Sequence, residues 1–576
     1  MKRAGPTPWL GLALLLAGFC RPLAAAEVSA AGGATVELPP MMVEESVTSA
    51  PWLYAQTGDT EVLSRCSPST TRRVVEMLLT QRQLLRRLVP DEFLLRMDVP
   101  AVCVLYAQDL KQAVSAEIQR ELQAADGGAG AGRPARETHV GIAPNMRLND
   151  RDMHAAIIYI DEAEFEGFSL SISPGHVRFL LRGRVPELPG WLADGIERAW
   201  RAADFQAEPL TLQPLVWINA GESDALSWDA ARPRALLPAI ELFAPEAVQL
   251  AVRAHPRHLE TRLAQAELLV RWALEAGGPT RAAFWQFAAR AAEAPVTEKT
   301  FEEHFGFGYS ELRDRLSDYL PQAVRRSLRL DFDPKPAAPQ IEVERATPNQ
   351  IARLRGEWER LASGYVQRRL PQVREPYVAQ ARRTLRRAFD AGDRDPRLLA
   401  ALGLCEIEAE NEAGARQFLE PAVAAGVMRP RAHFELARLR FAELRRAAPE
   451  AAAYSFTQLA PIIEPLRHAL AQAPPLAEVY VMLAEAWERC EVAPNTGEFA
   501  ELEKGARLFA QRPSVAVAIA RAIARHGRNS RATELLATAA GHAADEDTRA
   551  LLAQLRTEIT AASPRPAGNQ APAGPP

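Results

Sequence analysis

Two kinds of apolar spacing run along this chain, and they are not evenly distributed. Up to about residue 330, helix-like and strand-like patterns are mixed. Thr71–Leu88 carries Val74, Val75, Leu78, Leu79, Leu84, Leu85 and Leu88 on a helical period, so an amphipathic helix is predicted there. Ala101–Tyr106 (AVCVLY) and Ala155–Ile160 (AAIIYI) are short apolar runs with β-branched residues, and they predict buried strands. Ser169–Ser173 is a candidate third strand. Helical patterns follow over Pro174–Arg182, Trp191–Trp200, Glu260–Glu275, Thr280–Ala292 and Tyr309–Tyr319. Strands first and helices afterwards predict an α+β domain rather than an alternating one. Asp126–Arg136 (DGGAGAGRPAR) reads as a surface loop. The proline-bearing stretch 331–348 reads as a linker between a domain at 51–330 and a helical region at 349–562.

Beyond the linker only the helical period remains, and it repeats. Pro396-Arg397 opens a helix containing Leu402-Gly403, and Pro430-Arg431 opens one containing Leu436-Ala437. Gly403 and Ala437 are 34 residues apart, the tetratricopeptide period. Ala415, Leu419 and Ala422 fit the packing positions of the second helix of that unit. Later units carry Tyr480, Leu483-Ala484 and Trp487, then Ile519-Ala520 and Ile523. Their spacings are 47 and 36 residues, which places an insertion near Ala447–Tyr454. Gly356–Asp390 is expected to supply a preceding helix pair and Thr548–Ile559 a closing helix. Small residues at the crossings let paired helices approach, and no unit buries its own apolar face, so stacking is obligatory. The expected fold is therefore an α+β domain plus an all-α solenoid, predominantly helical overall.

In such a superhelix the inner helices line a concave groove. The repeat register puts Arg397, Leu404, Arg431, Phe434, Arg438, Glu478, Glu485, Arg489, Arg521 and Arg525 there. This Arg-leaning, mixed-charge surface suits a protein or an extended peptide.

Composition narrows the class. Of 576 residues, 48% are hydrophobic and 24% charged, which excludes wholesale disorder. Lys+Arg 68 against Asp+Glu 72 gives a net charge of −4, unlike a generic nucleic-acid binder. Lys2 and Arg3, the apolar run Trp9–Phe19 and the small residues Ala24 and Ala26 read as a signal peptide over 1–26, removed after about Ala26. Cys20 raises a lipoprotein alternative, but the bulky Phe19 before it argues against lipidation. No later apolar run approaches about 18 residues, so export through Sec to a periplasmic or secreted, soluble state is expected. Residues 27–50 read as a flexible lead-in and 563–576 as a disordered tail. Cys66, Cys103, Cys405 and Cys490 show no zinc spacing. Cys66 and Cys103 share a domain, where they either pair or serve as small buried hydrophobes.

Candidate chemistry centres on Ser173–Trp200 (SPGHVRFLLRGRVPELPGWLADGIERAW). Leu188-Pro189-Gly190-Trp191-Leu192-Ala193-Asp194-Gly195 resembles the P-x-W-L-x-E-G element of the peptidase MA-like gluzincin metallopeptidases. Gln265–Leu274 and Phe301–Tyr319 resemble later helices of that family, and the likeness covers about residues 55–325. The resemblance implies an HExxH helix just upstream and a zinc ligand in the "EG" carboxylate. Here Pro174 and Arg178 take the His places and Gly175 the catalytic Glu place, while Asp194 retains ligand chemistry. Pro and Gly offer no side-chain donor atom, and Arg178 puts a cation where the ion would sit. The resemblance therefore implies an inactive domain with no zinc, no other cofactor and no peptidase activity. Two alternatives stand beside it: an ordinary helix start with Ser173 as N-cap and Pro174 in the first turn, and a divergent zinc metallopeptidase using Asp194, Glu197 and His176.

Other candidates are weaker. His255-Pro256-Arg257-His258 with Glu260 reads as a polar helix start, and His304 as packing or surface. Gly127–Gly132 is not placed between a strand and a helix, so phosphate binding is not expected. Ten Arg lie within Arg353–Arg387, interleaved with Glu357, Glu359 and Glu375, and read as a solvated charged face. The expected function is a non-catalytic, protein-binding scaffold.

Overall fold

The computed structural model describes residues 36–41, 51–107, 140–165, 173–205, 210–217, 235–244, 256–330, 341–448, 453–543 and 545–561. The expected signal peptide, the tail at 563–576, the glycine-rich loop, His255 and most of the candidate strand Ser169–Ser173 lie outside them.

The first body is built on a six-stranded mixed sheet. Its strands are β2 (Leu53–Thr57), β3 (Thr60–Ser64), β4 (Ala101–Tyr106), β6 (Met146–Asn149), β7 (His154–Tyr159) and β11 (Glu344–Arg345), in the order β11-β2-β3-β4-β7-β6. β3, β4 and β7 run parallel, and the outer pairs are antiparallel. The continuous apolar run of β4 follows from this place: it is buried on both faces. Helix α1 (Pro68–Leu88) makes the β3–β4 crossover and covers one face, packing Val74 and Val75 on Val62, Cys103, Leu105, Ala156 and Ile158. Its start is capped by Ser67, which accepts the Thr70 N–H.

The other face is covered by a helix from the repeat side. Leu354, Trp358 and Leu361 of α9 (Pro348–Arg369) pack on Tyr54, Leu63, Val102, Val104 and Ile157. Two expectations are corrected here. The stretch read as a linker carries β11, which pairs Glu344 with Tyr54 and Arg345 with Leu53. The lead-in is also ordered at Val36–Met41. There β1 (Val36–Leu38) pairs with β5 (Val140–Ile142), Leu38 is buried, and Pro39 O accepts the hydroxyl of Tyr377 at 2.8 Å. In both places a backbone segment pairs with an edge strand or caps an apolar helix face, which local composition does not report.

A helical layer follows: α2 (Pro174–Arg182), α3 (Gly190–Arg201), α4 (Ala239–Leu242), α5 (Pro256–Ala276), α6 (Gly278–Glu293), α7 (Glu298–Phe305) and α8 (Tyr309–Ala323). A small antiparallel sheet, β10-β9-β8, joins Leu328–Leu330, Leu210–Leu212 and Ala203–Asp204. Trp191, Phe284, Phe287 and Phe301 form an aromatic core. Gly195 lets α3 and α5 touch: a Cβ there would meet the Ala266 carbonyl oxygen at 2.6 Å.

The second body stacks helix pairs: α9/α10 (Arg374–Asp390), α11 (Pro396–Glu408)/α12 (Glu412–Ala424), α13 (Pro430–Ala447)/α14 (Phe456–Leu470), α15 (Ala477–Glu488)/α16 (Thr496–Leu508) and α17 (Pro513–Arg525)/α18 (Asn529–His542), closed by α19 (Glu546–Ala561). Gly403 sits where its pair crosses, and a Cβ there would meet Leu419 at 2.6 Å. The expected insertion ends at Tyr454, which bridges to Cys490, its N–H donating to Arg489 O at 2.8 Å. No described helix is long and apolar enough to cross a membrane.

Candidate functional site

The region of Pro174, Gly175, Arg178 and Asp194 is a closed charge cluster. Ser173 caps α2 by accepting the His176 N–H at 3.2 Å, with Pro174 in the first turn and Gly175 exposed. One turn on, Arg178 projects over α3. Its Nη2 donates to Asp194 Oδ1 at 3.2 Å and its Nε donates to Glu197. Asp194 also accepts from Arg182 at 3.4 Å and Arg262 at 3.2 Å, and Glu197 accepts from Arg201 at 2.7 Å. Asp194 and Glu197 are each only 4% exposed, and buried carboxylates require such partners. The cluster extends to Glu267, held by Arg271 at 2.9 Å and Arg198 at 3.4 Å.

These residues do not fit zinc. The carboxylate oxygens that would bind it already accept guanidinium N–H groups, and a metal would stand beside Arg178. The alternative ligand set also fails geometrically. Asp194 and Glu197 converge on Arg178, but the His176 ring packs 4.8 Å from that of His154 and 6.0 Å from that of Phe179. Among the described residues no group of three His, Cys, Asp or Glu side chains is placed to hold a metal. Cys66 and Cys103 are both unpaired buried thiols.

The first body meets the first helices of successive repeat pairs. The β6–β7 turn inserts Asp150-Arg151-Asp152 between the inner helices. Asp152 is fully buried; it accepts from Arg429 Nε at 3.2 Å and from the Arg431 backbone N–H at 2.8 Å. Asp150 accepts from Arg360 at 3.0 Å and from Arg431. Arg429 also reaches Glu357 at 2.7 Å, and Arg431 reaches Glu408 at 3.2 Å. Arg151 pairs with Glu478 at 2.7 Å and lies over the Phe434 ring at 5.9 Å. Arg397 stands 3.6 Å from Glu61, which Arg353 holds with both Nη atoms and Tyr54 with its hydroxyl.

Further contacts continue along the array. The Ala473 N–H donates to Asp98 at 2.7 Å, Gln511 donates to Glu187 O at 2.9 Å, and Val185 packs on the C-terminal core.

The groove expectation is corrected accordingly. Arg431 and Phe434 are buried where the first body meets the array, while Arg397 and Glu478 reach Glu61 and Arg151 but keep part of their surface in solvent. Leu404 is fully buried. Arg438 pairs locally with Glu435 at 2.6 Å. Glu485, Arg489, Arg521 and Arg525 remain at least partly exposed, around a half-buried Glu488. Burial raises the Glu488 carboxyl, and the Glu485 charge adds to that, against Arg521, Arg489 and Arg525. The basic stretch is corrected in its first part: Arg353, Arg355 and Arg360 are buried ion-pair partners, whereas Arg368, Arg369, Arg383, Arg386 and Arg387 are exposed.

Sequence reasoning missed Glu61, Asp150, Asp152, Arg360 and Arg429. The acidic tip Asn149-Asp150-Arg151-Asp152 and the helix start Arg429-Pro430-Arg431 were visible separately, but their partnership spans 277 residues.

Together these features define an α+β body clasped by a solenoid of helix hairpins. No protein-family model matches the chain and no curated protein matches it. Among solved structures, a crystal structure of MamA is 16% identical, covering 31% of this chain and 93% of its own, with a TM-score of 0.23. A second MamA structure is also 16% identical, covering 34% and 94%, with a TM-score of 0.24. TTC0263, a thermophilic TPR protein in Thermus thermophilus, is 19% identical, covering 34% and 97%, with a TM-score of 0.23. Likeness at these scores carries no argument, and the solenoid assignment rests on the helix pairs themselves.

Proposed function

We propose that this chain is an exported, non-catalytic protein-binding scaffold, in which an inactive peptidase-like body serves as the inner brace of a tetratricopeptide-like solenoid. The observation that carries the reading is the concave face itself. Its N-terminal part is filled by the chain's own acidic turn, and its C-terminal end presents Glu485, Arg489, Arg521 and Arg525 on adjacent inner helices. The side chains there are charged and partly open, as expected for a surface that takes an extended, net-acidic peptide. The Arg178–Asp194–Glu197 cluster supports the inactive reading, because a guanidinium neutralises the carboxylates a metal would need.

The test is a peptide-array screen with the full mature chain beside Arg521→Glu/Arg525→Glu. Binding of acidic extended peptides that the double variant loses supports the scaffold. Equal binding by both would remove this surface from consideration. Elemental analysis in zinc-replete medium is the companion measurement. Zinc far below one equivalent is expected. Near-stoichiometric zinc would return the metallopeptidase alternative. For export, mass spectrometry of the envelope fraction is expected to find a mature chain beginning near Glu27.

A further inference from the structure

We propose that the first body binds an oxyanion, a carboxylate or phosphate group, in a recess formed by Arg147 on β6, His154 on β7 and His176 on α2. The recess lies apart from the groove and from the Arg178 cluster, and it does not depend on the scaffold reading.

The sheet register brings the first two together. Asn149 pairs with His154 and Arg147 with Ala156, so Arg147 and His154 are diagonal neighbours on the face that α1 covers. Helix α2 lays His176 against them: the His154 and His176 rings are 4.8 Å apart, with Phe179 5.6 Å from His154. Arg147, His154, His176 and Phe179 are each partly exposed.

The charge around it is one-sided. Arg147 makes no ion pair with a described carboxylate, and burial lowers its pKa. Arg82 approaches from α1, but Asp59 already holds it. Cys103, on the neighbouring strand, is a buried thiol that burial pushes up to about 11, so it brings no negative charge. Burial, with Arg147 and Arg82, holds the His154 imidazole down to about 3, and His176 lies well below its ordinary value for the same reasons and through His154. Both rings are therefore neutral near pH 7, each with one N–H to donate. His154 Nδ1 is buried without a hydrogen-bond partner. His176 stands in the first turn of α2, where the helix dipole adds positive potential.

Two neutral imidazoles close together would also suit a metal, but the guanidiniums beside them oppose a cation and no third ligand is placed with them among the described residues. The contrast with Asp194 is direct: there three guanidiniums share one carboxylate, whereas here the carboxylate is lacking among the described residues. An incoming oxyanion would accept from Arg147 and from one or both rings, and would make ring protonation easier.

The test uses the full mature chain. Inorganic phosphate and succinate are titrated separately by calorimetry, and the histidine C2 protons are followed by NMR across pH 4–8. One saturable site is expected for at least one probe, with both His pKa values rising on binding. Arg147→Gln is expected to weaken it at least about tenfold, as for loss of a charge-assisted bond, and His176→Gln likewise if Arg147→Gln does not fold. Arg525→Gln should bind as the parent does, which separates this site from the groove. Phosphate alone binding identifies a phosphate source, and succinate alone a carboxylate. No heat and no histidine shift with either probe overturns the proposal, as does binding unchanged in both recess variants, or stoichiometric Zn²⁺ binding that both histidines report.

Discussion

Single residues carry more of this molecule than its composition suggests, because so many of its arginines are buried in ion pairs. Arg429 is the clearest case. Its side chain is 6% exposed and bridges Asp152 and Glu357, two carboxylates that are almost fully buried. Removing it takes away the guanidinium that holds Asp152 and leaves Glu357 with Arg360 alone, and breaking such a buried pair costs about 3–5 kcal/mol. Arg429→Ala is therefore expected to lower the urea midpoint sharply, while Arg525→Ala, on the exposed end of an inner helix, should leave it within about 0.5 kcal/mol. The thiols make a second residue-scale case. Burial pushes Cys66 up to about 12, against a hydrogen bond from Ser64, and Cys103 up to about 11. The thiolate is the reactive form, so iodoacetamide at pH 8 is expected to leave all four mature cysteines unmodified in the native chain and to label all four in urea. Rapid native labelling of Cys66 or Cys103 would mean that the sheet and α1 separate readily.

At the scale of elements, α9 is the joint of the molecule. It is the first helix of the array and the cover of the sheet's second face at once. Its start is well specified: Thr347 and Gln350 form a capping box, with Pro348 in the first turn. Trp358 is fully buried against both the sheet and the lead-in segment. Trp358→Ala is expected to cost about 3–5 kcal/mol, and to loosen the sheet and the first helix pair together, seen as parallel loss of amide protection in both. A fragment spanning residues 345–561 exposes Ile351, Leu354 and Trp358. It is expected to bind a hydrophobic dye or aggregate, where a freestanding repeat domain would stay monomeric and dye-free.

Across the whole molecule, the contact between the two bodies combines the apolar packing of α9 on the sheet with buried ion pairs, and the ion pairs make it acid-sensitive. Burial alone would raise Glu61, Asp150 and Glu357. Arg353 at Glu61, Arg431 and Arg360 at Asp150, and Arg429 and Arg360 at Glu357 outweigh it and hold all three below the ordinary carboxylate range. A carboxylate lowered by folding stabilises the fold above its unfolded pKa of about 4, and that stability is lost as pH falls through the folded value. Asp152 and Glu359, raised mainly by burial, act in the opposite sense above that range. The expected result is a Tm that falls steeply below about pH 4, with the sheet and the inner helices releasing together. A Tm that stays flat to about pH 2 would mean the turn at Asp150 does not hold the bodies together.

Local pattern was enough to determine most elements. The buried strands Ala101–Tyr106 and Ala155–Ile160, the helix over Thr71–Leu88 and the hairpin period through Gly403 and Ala437 were legible, because burial on one face or at one crossing leaves a short-range periodicity. That Pro174 and Gly175 carry no side-chain donor atom is decided by residue type alone. What only the tertiary structure decided is where the two bodies meet. Glu344–Arg345 joins the sheet, α9 covers it, and Asp150 and Asp152 fill the face that the repeat register assigned to a partner. A buried charge is stable only beside its counter-charge, and sequence distance says nothing of which counter-charge the fold delivers. The same holds for Arg147 and the two histidines, whose meeting depends on a strand register and on the packing of α2 against it.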